Sequence, residues 1–201
     1  MTRTMRIRVA LLAIASLAVP SLAGGNEPAP VRNCSWCHGT SLNGYATAPR
    51  LAGQRPQYIM NQLRSFHRHT RDNPFSRQFM WGAAENLTPA TAYGLATYLA
   101  TLPPRPADDG NPDLAGAGRS LYEEGNPDGN IVACAACHGP NAEGEGQIPR
   151  LGGLSYAYLK RRLEQWGEGY HASALPPMPR IAIKLAPNEI EALASYLSFV
   201  R

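Results

Sequence analysis

Residues 34–39 read CSWCHG and residues 134–139 read CAACHG. The two stretches hold all four cysteines of the chain, stand one hundred residues apart, and each runs straight into a histidine. Three chemistries use such a pair of thiols. A thioredoxin-type redox pair sits in a βαβ setting, for which the sequence offers no strand pattern. A four-cysteine zinc site brings its pairs within about 15–20 residues, whereas 96 residues lie between Cys37 and Cys134. The chemistry that remains is c-type haem attachment. Each thiol adds across one vinyl group of the macrocycle, and the adjoining imidazole faces the iron. The expectation is two covalently bound haem c groups, one on Cys34 and Cys37 with His38 as axial ligand, the other on Cys134 and Cys137 with His138.

A second axial ligand has to be argued from the repeat. Candidates are Met60, Met80, Met178, His67, His69 and His171. At an offset of 100, Met60 meets Lys160 and His67 meets Gly167, and His69 and His171 align at no common offset. Met80 and Met178 pair at an offset of 98, each seven residues before an aligned leucine, Leu87 or Leu185. Both are expected in a loop ahead of a closing helix, where the chain can cross the distal face of the macrocycle. The competing reading is a methionine that fills core space. With thioether and imidazole both bound, no axial position is open to oxygen, peroxide or substrate, and one-electron transfer is the chemistry left.

Further pairs repeat around these. Pro49 and Pro149 follow the histidines by eleven residues, where a prolyl carbonyl can accept the imidazole Nδ1–H and fix the ring; each reads equally as a turn proline. Arg50 and Arg150 can pair with haem propionates, or be solvated surface arginines.

The elements that must hold these groups are helical. Tyr58, Ile59, Leu63 and Phe66 share one helical face, as do Tyr158, Leu159, Leu163 and Trp166. Closing helices begin at Thr88-Pro89 and Ala186-Pro187, with proline suited to the first helical position. GLATYLATL at 94–102 matches ALASYLSFV at 192–200, and APRLAG at 48–53 matches IPRLGG at 148–153. Between the copies, LPPRPADDGNPD reads as a linker. The fold class is therefore all-α, with a first domain over 24–104, a linker over 105–113 and a second domain over 114–201. Each domain has too little apolar core to stand without a staple, a metal or a large cofactor.

Residues 1–23 read as a secretory signal peptide: Arg3, Arg6 and Arg8, then VALLAIASLAV, then Ser21-Leu22-Ala23 before the cut. The apolar run is short of the ~20 residues a spanning helix needs. The expected product is exported, with no integral membrane span and peripheral membrane association left open. Without the signal, 19 basic side chains become 16 against 15 acidic ones, so the charge does not imply a nucleic-acid partner. Residues 24–110 carry 8 basic and 5 acidic groups and residues 111–201 carry 8 and 10, an asymmetry that can orient a charged partner.

Taken together, CSWCHG with PRLAGQRPQYIMNQLRSF, and LYEEGNPDGNIVACAACHGPNAEGEGQIPRLGG, resemble the dihaem cytochrome c4 family over nearly all of the mature chain. The resemblance implies two tandem class I cytochrome c domains whose haems face each other across a pseudo-twofold interface. It implies a periplasmic electron carrier of a respiratory chain, between a bc1-type or dehydrogenase donor and a membrane terminal oxidase. Alternatives are the cytochrome subunit of a flavocytochrome c-like dehydrogenase, a dihaem peroxidase, or a thiosulfate-oxidising enzyme. Two departures stand out. A helix over roughly 115–125 precedes the second haem motif, but only GGNEPAPVRN precedes the first. The outer face of the first closing helix is thus expected to be open, and covered by the other domain or by a partner. Leu154 stands where the first copy has Gln54.

Overall fold

The computed structural model describes residues 31–45, 48–171 and 177–201; the expected signal segment lies outside them. The helices run α1 Val31–His38, α2 Pro56–His67, α3 Trp81–Ala84, α4 Pro89–Thr101, α5 Pro112–Glu124, α6 Ala135–His138, α7 Tyr156–Gly167, α8 Met178–Ala182 and α9 Pro187–Phe199. A π turn, Ser76–Met80, leads into α3. Among the described residues the β structure amounts to three isolated bridges.

Local chemistry sets the ends of these helices. Pro56, Pro89, Pro112 and Pro187 each take the first helical position, where the missing N–H is no loss. Thr88 Oγ1 accepts the Thr91 N–H at 3.1 Å, and the Glu189 carboxylate accepts the Ala186 N–H at 2.8 Å, so α4 and α9 start with satisfied donors. Gly125, at φ +76°, stops α5; a Cβ there would stand 2.4 Å from Ile131 O.

Each copy of the repeat has its own core. Val31, Leu42, Ile59, Leu95, Ala96 and Leu99 form the first, where α1, α2 and α4 meet. The second is larger: Leu121, Tyr122, Ile131, Ala142, Leu154, Tyr158, Leu159, Leu193, Ala194 and Leu197. Of its four extra residues, Leu121 and Tyr122 come from α5. This helix lies so close on α9 that a Cβ on Gly118 would stand 2.0 Å from Ala192 O. Tyr122, fully buried, reaches from α5 to donate to Gly139 O at 2.5 Å, beside the second histidine.

We expect Gly118→Ala to strain this crossing by about 1–3 kcal/mol, lowering the thermal midpoint of unfolding by at least about 5 °C. Gly116→Ala on the same helix, with open space at its Cβ, should lose nothing. Equal midpoints for the two variants would mean that the crossing yields at no cost.

α4 has no such neighbour among the described residues. Gly94, the counterpart of Ala192, has nothing within 4 Å of its would-be Cβ, and Tyr93 is 65% exposed. The expectation that the other domain covers this face does not hold.

The methionine loops are also corrected. Met80 ends the π turn, which begins where Asn73 Oδ1 accepts the Ser76 N–H at 3.1 Å. Met178 opens α8, with Pro177 and Pro179 tolerated because they stand at the helix start. The stretch SRQFMWGAA has no proline to keep it open, so it winds up.

Candidate functional site: two paired thiol–imidazole centres

In both copies a short helix carries the second thiol and the histidine on adjacent positions, and a loop then turns back beneath the imidazole. His38 Nδ1 lies 2.7 Å from Pro49 O, and His138 Nδ1 lies 3.0 Å from Pro149 O. A carbonyl can only accept, so Nδ1 carries the proton and Nε2 presents its lone pair. Burial pushes both imidazoles below their ordinary range, and the prolyl carbonyls oppose this only in part. The loop is shaped by Gly44 and Gly144, at φ +69° and +64°, where a Cβ would meet backbone at 2.5 and 2.4 Å.

None of the four cysteines is in a disulfide. Cys34 and Cys134 are half-buried, whereas Cys37 and Cys137 are exposed. Burial raises the Cys34 thiol and takes that of Cys134 up to about 11.

Of the other proposed ligands, Met80 and Met178 are half-buried. Met60 packs against the first core. His69 is exposed and stacks on Trp81 at 4.0 Å. His67 Nδ1 lies 3.2 Å from Ala84 O.

His171 is buried between the domains. Its Nδ1 accepts from Arg162 at 2.5 Å and its backbone N–H donates to Asp72 of the first domain at 2.8 Å. Burial lowers this imidazole to about 3, the Arg162 and Arg71 charges adding to the effect and Asp72 opposing it.

The two arginines differ. Arg50 is buried in the seam between the domains. Its guanidinium donates to Arg105 O at 2.6 Å and Gly153 O at 3.1 Å, and to Gly152 O. Gly153 is at φ +75°, and a Cβ would press to 2.5 Å from that guanidinium, so only glycine suits the position. Burial, with the Arg150 charge second, lowers Arg50 to about 10. Beside it, Gln54 makes a two-way pair with the Arg150 backbone, donating to its carbonyl at 3.0 Å and accepting its N–H at 2.8 Å. Leu154 cannot return this pair to Arg50, which makes the seam asymmetric. Arg55 Nε adds a bond to Glu143 O at 2.7 Å, and Arg71 donates to Tyr158 Oη at 3.3 Å.

Among the described residues four buried donors have no acceptor: Arg71 Nε, Asn73 Nδ2, Arg150 Nε and Trp166 Nε1. Buried polar atoms are rarely left so. Nor does any described carboxylate form an ion pair with Arg50, Arg71, Arg150 or Arg162. Unmet donors among buried cations suit an anionic cofactor with acceptor oxygens, and haem brings two propionates. The residues present therefore fit the group that the thiols and histidines call for. Sequence pattern marked Gln54 and Trp166 only as places where the copies differ, Leu154 against Gln54 and Trp166 against Phe66, and did not single out Arg71 or Asn73.

The cytochrome c family model matches residues 115–200. Cytochrome c4 of Thiocapsa roseopersicina is 38% identical over 170 residues, covering 82% of this chain and 85% of that protein. The solved structure of Acidithiobacillus ferrooxidans cytochrome c4 agrees with a TM-score of 0.78 at 31% identity, covering 83% of this chain and 98% of that one.

This chain belongs to the dihaem cytochrome c4 family.

Its fold is accordingly two tandem c-type cytochrome domains. It is an electron-transfer protein with two covalently bound haem c groups, for which the thiol pairs 34/37 and 134/137 provide attachment. A further relative is the thiosulfate dehydrogenase electron acceptor of Thiomonas intermedia, 34% identical over 177 residues, 85% of this chain and 80% of that protein. No helix among the described residues is long and apolar enough to cross a membrane.

Proposed function

We propose that this cytochrome c4-family chain is a periplasmic one-electron carrier of a respiratory chain. It would take electrons from a dehydrogenase or a bc1-type donor and pass them towards a terminal oxidase. The observation that carries the reading is the repetition of one centre. Twice in the chain an imidazole is held by a prolyl carbonyl with Nε2 presented, and twice a half-buried methionine stands before a closing helix. His38 with Met80, and His138 with Met178, are the axial pairs we assign.

When bound, haem c supplies a reversible Fe(III)/Fe(II) couple. The chain's part is to keep the centre closed and its surroundings fixed. The carbonyls of Pro49 and Pro149 orient the imidazoles and keep the proton on Nδ1. The two thioethers would occupy the remaining axial positions, which raises the potential and leaves no site for peroxide. Arg50 and Gln54 bind the domains into one body, so the surroundings of both centres change little when an electron arrives. The unmet donors Arg150 Nε and Trp166 Nε1 are suited to propionate oxygens of the second domain, and Arg71 Nε and Asn73 Nδ2 to those of the first.

The relative named as a thiosulfate dehydrogenase electron acceptor supports a dehydrogenase as donor and keeps one alternative alive, that of a fixed subunit. A periplasmic extract passed over gel filtration at about 0.5 M salt, where surface electrostatics are screened, separates the two. A free carrier elutes at its own mass and, added back, restores oxygen uptake by washed membranes supplied with the dehydrogenase and its substrate. Persistent co-elution with a dehydrogenase would make it a subunit. Failure to restore uptake would remove the respiratory role.

A further inference from the structure

The first domain displays a tryptophan that has no part in its folding. Trp36, between the two thiols of CSWCHG, is 81% exposed and belongs to neither core. At about 100° per residue it stands one step round α1 from Cys37 and about 160° from His38. It therefore faces away from the buried imidazole and lies next to the exposed thiol. Arg32, also exposed, is four residues earlier on the same face. Trp36 directly precedes Cys37, one of the two attachment residues of the first centre.

The charge of the first domain as a whole is mainly positive. Residues 31–104 hold seven arginines against two carboxylates, Asp72 and Glu85. Asp72 accepts the His171 N–H at the seam with one oxygen and pairs with Arg77 at 3.7 Å through the other, so Arg77 is partly compensated. Arg32, Arg64, Arg68 and Arg77 are exposed. Residues 114–201 hold eight basic and nine acidic side chains. The matching edge of the second domain carries Val132, 56% exposed, and an exposed Ala136, with neither ring nor charge. The two edges cannot recognise the same surface.

We propose that the Trp36–Arg32 edge of the first domain docks an acidic redox protein, whose carboxylates face the arginines and whose apolar centre packs the indole. Exposed tryptophan and arginine are the residue types that anchor protein interfaces, and a field of one sign steers a partner of the other on approach. The proposal rests on the carrier reading. One electron passes from the partner to the first centre, the partner being oxidised and the ferric centre reduced.

The test is stopped-flow reduction of the protein with both haems attached. The donor is a reduced plant-type [2Fe–2S] ferredoxin, a small acidic protein, and hydroquinone serves as a neutral control. Trp36→Ala and Arg32→Glu should each slow the ferredoxin reaction at low salt by at least about fivefold. Trp36→Phe should recover most of the rate, and Val132→Ala should match the parent. Hydroquinone should reduce all variants alike, and a haem count of two per chain confirms that attachment has survived. Unchanged ferredoxin rates in Trp36→Ala and Arg32→Glu, or equal slowing by Val132→Ala, would overturn the proposal. So would sedimentation of the parent as a dimer that Trp36→Ala dissociates, which would give this face to a second copy. A parent that hydroquinone cannot reduce at all would sink the carrier reading itself.

Discussion

With Cys34 and Cys37 both replaced by alanine, the chain should carry one covalent haem instead of two, and its first domain should lose its tertiary structure. The same pair of changes at Cys134 and Cys137 should also leave one haem, but with more of the helix signal intact. The reason lies in what each domain can bury by itself. The first core comprises six buried apolar residues, and among the described residues α4 has no helix in the place α5 takes on α9. The second comprises ten, with α5 pressed on α9 and Tyr122 tied to Gly139 O. Small domains of this size fold only marginally on apolar burial alone. Each buried donor left without an acceptor costs about a further 1–3 kcal/mol: Arg71 Nε and Asn73 Nδ2 in the first domain, Arg150 Nε and Trp166 Nε1 in the second. A haem stain under denaturing conditions counts the attached groups, and circular dichroism in a urea series follows the helices. Two attached haems in either variant would break the assignment of the thiols. Equal loss of helix in both would mean that α5 gives the second domain no independent stability.

Much of this molecule could be read from residue order, and the remainder is instructive. Helix existence followed from period and punctuation. Tyr58, Ile59, Leu63 and Phe66 mark α2, and the Thr-Pro and Ala-Pro steps mark the starts of α4 and α9 within a residue. The hydrogen bond between His38 and Pro49 was accessible because a fixed spacing of eleven recurs in both copies. The seam was not. Arg50 and Arg150 occupy the same place in the repeat, yet one donates to two carbonyls across the seam and one in the linker while the other lends its backbone to Gln54. A repeat teaches what the copies share, and an interface between copies depends on where they differ. Leu154 for Gln54 and His171 for Arg71 are such differences: Gln54 bonds the Arg150 backbone 96 positions away, and His171 bonds Asp72 99 positions away. The methionine stretches are short turns of helix and not loops because their composition permits winding.

Met80→Ala and Met178→Ala should each open one centre and only one. In the unaltered protein, reduced and exposed to carbon monoxide, the spectrum should not change, because thioether and imidazole would fill both axial positions. Each variant should then bind one carbon monoxide per chain and lose one of two sulfur-to-iron charge-transfer bands. Its potential at that centre should fall by on the order of 0.1 V or more, within the ~0.8 V range that axial ligands span. The double variant should bind two. The symmetry of this result is what makes it decisive. Met80 closes a π turn and Met178 opens an α-helix, so the two side chains are delivered by different backbones, and equal behaviour would have to come from equal ligation. Met60 offers no rescue, since it is packed in the first core and has Lys160 as its counterpart. His69, held against Trp81, would have to leave that stack. Carbon monoxide binding by the unaltered protein, or a variant that keeps both charge-transfer bands, would show that a residue other than the one replaced closes that iron. A persistent band in Met178→Ala alone would confine the error to the second domain, where Met178 has no partner of its kind to compete with it but Arg162 and His171 stand between the domains.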